Sequence, residues 1–158
     1  MEEIRLETLE RAARFLNEPD AEKARIGADT IGKLLEQNGL KPEDVGRYLA
    51  VLSTRYAQAS EGTDVGLRGH LLGTMAGLCA PRSACRDQAA KLYSPAFERA
   101  IADEVETVRQ MAVDGFVNMD KPAALKRLRD PMANDPSAVI RLKLIELVDR
   151  ADCVIGSR

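Results

Sequence analysis

Among residues that can do chemistry, the chain offers one histidine, His70, and three cysteines, Cys79, Cys85 and Cys153. A Ser-His-Asp relay needs an imidazole beside a nucleophile, and a zinc site needs several nitrogen or sulfur ligands. Either could be built only around His70, and no Ser or Cys near it in sequence forms a recognisable pair. Cys79 and Cys85 have five residues between them, Pro81 included, with no further ligands beside them, and Cys153 stands alone. Cysteine otherwise packs as a small hydrophobe. An odd number in no disulfide framework fits a reducing compartment. Gly62, Gly66, Gly69, Gly73 and Gly77 spell neither GxxxxGK nor GxGxxG, so no phosphate loop is present. The sequence therefore predicts no catalytic, metal-ligating or cofactor-binding residue.

Two features remain that point to contacts rather than reactions. Gly66, Gly69, Gly73 and Gly77 fall in one expected helix, where each costs roughly 1 kcal/mol against Ala. Close helix–helix approach is one reading; a groove admitting a ligand or a partner backbone is the other. The second feature is a basic cluster, Lys121, Lys126, Arg127, Arg129, Arg141 and Lys143. A solvated face is its plain reading, and an anionic partner, acidic protein or nucleic acid, is the alternative. Lys121, Lys126, Arg127, Arg129 and Lys143 are the candidate partner-binding face.

Charge limits that alternative. The 158 residues carry a formal net charge of −2, whereas a nucleic-acid binder shows a basic excess or face. Basic residues number 9 against 11 acidic over 1–60, 6 against 9 over 61–120, and 8 against 5 over 121–158. Only the last segment is basic. There is no Trp and aromatic content is 4%, which leaves little to stack on bases.

The elements that must position these residues read as helices. Hydrophobic residues make up 45% of the chain, and the β-branched and aromatic runs of strands are missing. Apolar stripes recur at spacings of 3 and 4: Leu6, Leu9, Ala13, Leu16; Ala24, Ala28, Ile31, Leu35; Val45, Leu49, Leu52, Tyr56, Ala59; Leu67, Leu71, Met75, Leu78. Asp20, Ser83, Asp120 and the pair Asp135-Pro136 are expected to open helices, and Pro42 suits a first turn. After Ser83 the stripe is Cys85, Ala89 and Leu92, and Ser94-Pro95 is expected to break or kink that helix. The pattern resumes through Ile101, Val105, Val108, Ala112 and Phe116. A short helix with Leu125 and Leu128 should close at Asp130-Pro131, and the last helix holds Ile140, Leu144 and Leu147.

Four arginines repeat along the chain. Arg25, Arg68, Arg109 and Arg141 are each preceded by an apolar residue (Ala24, Leu67, Val108, Ile140) and followed three residues on by Ala28, Leu71, Ala112 or Leu144. An aspartate stands four to six positions before each: Asp20, Asp64, Asp103 and Asp135. With these stretches the chain resembles the HEAT-repeat (armadillo-type) family. The resemblance implies one domain over 1–158, a short right-handed α-solenoid of about four antiparallel helix pairs at 1–39, 40–80, 81–119 and 120–153. The third pair departs from the family pattern at Ser94-Pro95, and the last is short. Each Asp would face its Arg across the turn, cap its helix and join adjacent repeats.

The expected function is a protein-interaction or scaffold module without catalysis, cofactor or metal, in the cytoplasm, with another protein as partner. The alternative is a HEAT-like nucleic-acid-binding protein, DNA glycosylase-like or RNA-associated, using the basic 121–143 face. A relative of the phycobilin-associated HEAT proteins would need pocket residues that the sequence does not show. Nucleic acid is not the expected partner, no membrane segment is expected, and the oligomeric state is left open.

Overall fold

The computed structural model describes residues 1–61 and 64–155, with side chains at 1–60 and 64–151. Gly62 and the Cys153 side chain lie outside the described residues. The fold is all-α: α1 (Glu2–Leu16), α2 (Ala21–Leu35), α3 (Pro42–Glu61), α4 (Val65–Leu78), α5 (Arg86–Ala100), α6 (Glu106–Met119), α7 (Lys121–Ala133) and α8 (Ala138–Ile155), with no strand among the described residues. No helix is long and apolar enough to cross a membrane among the described residues.

Aspartates start these helices in two ways. Asp20, Asp64 and Asp120 are N-caps whose carboxylates accept the amides of Lys23, Leu67 and Ala123 at 2.9, 2.8 and 3.1 Å, satisfying otherwise orphaned donors. Asp103 and Asp135 instead accept from the residue two ahead, Val105 at 2.9 Å and Ser137 at 2.8 Å, forming Asx turns. The helices after them begin three residues on, at Glu106 and Ala138. Asp135-Pro136 is thus not the cap-and-first-residue pair expected of α8. The Ser137 hydroxyl oxygen accepts from the Val139 amide at 3.2 Å, because the Asp135 carboxylate is engaged elsewhere.

That engagement is with Arg109, which donates through Nε and Nη2 to the two Asp135 oxygens at 2.9 and 3.0 Å. Its Nη1 donates to the carbonyls of Asp103 and Glu104 at 2.9 and 3.0 Å. Arg68 donates in the same sense to Asp103, at 2.8 Å. The arginines therefore do not meet their own aspartates across the turn by side chain. Each reaches the carboxylate that precedes the next even-numbered helix. Arg25 departs from this pattern: its carboxylate contact is Glu22, one turn back at 3.7 Å.

Helices pack as α1 on α2, α3 on α4, α5 on α6 and α7 on α8, while α2–α4–α6 and α1–α3–α5 form two rows of neighbours. The fourth pair joins through α7 against α6. The expected stripes of α2, α3 and α4 are all buried, as are Leu9, Leu16, Val108, Ala112, Leu128 and Ile140.

Further expectations fail in the second half. Helix α5 runs unbroken through Pro95 and α7 through Pro131. A proline deletes one intrahelical hydrogen bond, and in α5 burial on both sides of it, at Tyr93, Ala96, Phe97 and Ala100, outweighs that loss. The break expected at Ser94-Pro95 therefore does not occur. Leu92 is 42% exposed, and Tyr93 takes the core position, its hydroxyl donating to the Leu49 carbonyl at 2.8 Å. Ser83 does not cap α5; its hydroxyl lies 3.4 Å from Cys85 Sγ, and Cys85 occupies the N-cap.

The Arg109–Asp135 pair lies between helix pairs, with side chains 11% and 9% exposed. Burial raises the Asp135 carboxyl, but hydrogen bonds from Arg109 and the Ser137 amide, with the charges of Arg109 and Arg141, outweigh it and hold the group below its ordinary 3.8. A depressed folded value means stability present above the unfolded value and lost as pH falls through the folded one. Arg109→Ala should cost about 1.5–3 kcal/mol at neutral pH, against less than about 0.5 kcal/mol for Lys126→Ala. Denaturant melts at falling pH should show the Arg109→Ala deficit shrinking below the ordinary aspartate range.

Candidate functional site

The α2–α4–α6 row forms one side of an open groove of about 720 Å3. One wall is Arg25, Asp29, Gly32 and Lys33 of α2 with its C-cap Glu36; the floor is Gly66, Gly69, His70, Gly73, Thr74 and Gly77 of α4; Thr107 and Met111 of α6 close the other side. The four glycines recur at spacings of 3, 4 and 4 and so share one helix face.

The four glycines differ in what lies against them. A Cβ at Gly66, Gly69 or Gly73 would come within 2.7 Å of Arg25 Nη2, 3.2 Å of Thr107 Cγ2 or 2.9 Å of Met111 Sδ. Neighbouring helices thus lean side chains, not backbone, over the glycine stripe. At Gly77 the nearest atom is Glu36 Oε1 at 3.9 Å, leaving bare helix backbone open to a visitor. Gly27 differs: its Cβ would meet the Leu16 amide nitrogen at 2.4 Å and the Ala12 carbonyl at 2.5 Å, so there α2 touches α1 backbone to backbone.

His70 sits in this groove, Nε2 2.7 Å from Asp29 Oδ1. A histidine–carboxylate pair can hold an imidazole for proton transfer, but the Thr74 hydroxyl, one turn along α4, donates to the His70 carbonyl at 3.2 Å. Cys79 and Cys85 are buried outside the groove. Burial pushes the Cys79 thiol up to about 12 and raises that of Cys85, which disfavours the thiolate that nucleophilic or metal-binding chemistry needs. No group of three or more metal-capable side chains occurs among the described residues.

The basic cluster is less free than its sequence implied. Arg127 is paired with Glu98 and lies over the Phe116 ring, 5.5 Å from its centroid. Lys143 is paired with Asp114. Of the five candidate face residues, Lys121, Lys126 and Arg129 form no ion pair among the described residues. The groove residues Asp29, Lys33 and Glu36 were missed by sequence reading. Their spacing from Arg25 (4, 4 and 3) was the available signal, hidden because α2 was read only for its apolar face.

Compared with protein-family models, with curated proteins and with solved structures, the chain shows no match.

The glycine contacts make opposite predictions for two substitutions. Gly77→Ala should raise stability by up to about 1 kcal/mol through helix propensity. Gly27→Ala should lower it by at least about 1–3 kcal/mol, because backbone cannot yield to an added methyl. Thermal melts of the two variants read the difference directly; equal shifts would show that the α1–α2 contact is not tight.

Proposed function

We propose that the chain is a HEAT-like helical-repeat binding module, a short right-handed α-solenoid without catalytic activity, that holds a polypeptide segment along its α2–α4–α6 groove. The repeat reading is supported by the arginine-to-aspartate link made twice in the same sense, Arg68 to Asp103 and Arg109 to Asp135. Asp103 and Asp135 also open their helices by the same Asx turn.

The observation that carries the binding reading is the groove's mixed charge over an open glycine floor. Arg25 and Lys33 stand beside Asp29 and Glu36, so charges of both signs line one wall. A polypeptide with charges of both signs suits such a wall, whereas a nucleic-acid backbone would meet two carboxylates. The nucleic-acid alternative rests on the 121–143 face, where Lys121, Lys126 and Arg129 remain for phosphate. Three phosphate contacts give weak, steeply salt-dependent binding.

A photo-crosslinking side chain at the exposed Lys33, compared with one at Lys126, separates the two. Protein adducts should form from position 33 and disappear when Gly77→Arg fills the groove, with Lys126→Glu leaving them intact. Nucleic acid captured from position 126, with binding abolished by charge reversal at Lys126 and Arg129, would replace this reading with the alternative.

A further inference from the structure

Charge along the α2–α4–α6 groove has a fixed order. Helix α4 runs parallel to α2, since Gly66 lies against Arg25, His70 against Asp29, Thr74 against Gly32 and Gly77 nearest Glu36. Lys33 follows Arg25 by eight residues and Glu36 by eleven, about 12 and 16 Å along the helix axis.

These charges are unequally matched within the chain. The Asp29 carboxylate is held by His70, Nε2 to Oδ1 at 2.7 Å. Arg25 has only Glu22, at 3.7 Å on its own helix. Lys33 and Glu36 stand one turn apart, where opposite charges ordinarily meet, yet neither forms an ion pair among the described residues. The Glu36 carboxylate lies instead toward the α4 floor, Oε1 3.9 Å from where a Gly77 Cβ would stand. Across the groove, Thr107 and Met111 of α6 carry no charge to answer them. The unmatched charges therefore read positive, positive, negative from Arg25 to Glu36.

We propose, given that the groove holds a polypeptide, that its occupant is an extended segment with two acidic residues four positions apart and a basic residue two positions further. The three are set against Arg25, Lys33 and Glu36 in turn. Alternate side chains of an extended chain face one wall, so positions i+4 and i+6 stand about 13 and 20 Å from position i. The first distance matches Arg25 to Lys33, and a long basic side chain spans the few ångströms back to Glu36. Position i+2 meets Asp29, already bonded to His70, and is uncharged. Arg25 over Gly66, Thr107 over Gly69 and Met111 over Gly73 narrow the trough from both sides, which suits an extended chain rather than a helix about 10 Å across. The opposite charge order would set like charges together.

Fluorescence anisotropy with two labelled, end-capped seven-residue peptides tests this. One carries Glu-x-x-x-Glu-x-Lys and the other Glu-x-x-x-Lys-x-Glu, with Ser and Thr between, each made in both chain directions. Their composition and net charge are identical, and both are too short to be helical in water. The native chain should bind the first, in one direction, roughly three- to tenfold more tightly than the second, with the preference shrinking as salt rises. The double variant Lys33→Glu/Glu36→Lys should reverse the preference, with circular dichroism unchanged because both residues are exposed. Equal binding of the two peptides, or a preference that the double variant leaves unchanged, would overturn the charge order and leave the groove as a polypeptide site. Absence of peptide binding while crosslinks still form from position 33 would do the same. Absence of both would remove the groove reading as well.

Discussion

A helix pair in this chain has more apolar surface than its two members can cover between them. Helix α4 shows the constraint: Leu67, Leu71, Leu72, Met75, Ala76 and Leu78 are all buried, and α4 touches α2, α3, α5 and α6. No single neighbour could cover that many directions, so each pair depends on the next for its core. With only three Phe, three Tyr and no Trp, this core is built from small aliphatic side chains, which let helices approach closely. The glycine contact between α1 and α2 is the extreme case.

Apolar burial is poor at fixing register, because one aliphatic stripe slides over another at little cost. The arginine–aspartate links supply what it lacks. A carboxylate taken from water must be matched by donors, and Asp135 finds its match only if α6 and the turn before α8 sit at one relative height. The same group shapes the chain locally, since its Asx turn decides where α8 begins. One side chain thus couples a helix start to a neighbouring helix, and Asp103 does so with Arg68.

The groove follows from the same economy of side chains. Packing α2, α4 and α6 in a row while the middle helix shows glycine to one side leaves a trough, which the charged residues of α2 border.

The sequence by itself determined the helices and the buried face of most of them, since amphipathic spacing and capping aspartates act within about a turn of chain. The stripes of α2, α3 and α4 were legible for this reason. It also marked Arg68, Arg109, Asp103 and Asp135 as special, because their offsets recur. Tertiary structure decided which carboxylate each arginine meets, which depends on residues 35 and 26 positions away. It decided that Pro95 and Pro131 sit inside helices, since burial beyond the local segment offsets the lost hydrogen bond. It spent Arg127 and Lys143 on Glu98 and Asp114, carboxylates that a linear count of charge leaves distant. It also gathered Arg25, Asp29, Lys33, Glu36 and His70 around one glycine floor. These are long-range outcomes, fixed by how close two helices come, and short-range spacing carries no record of that distance.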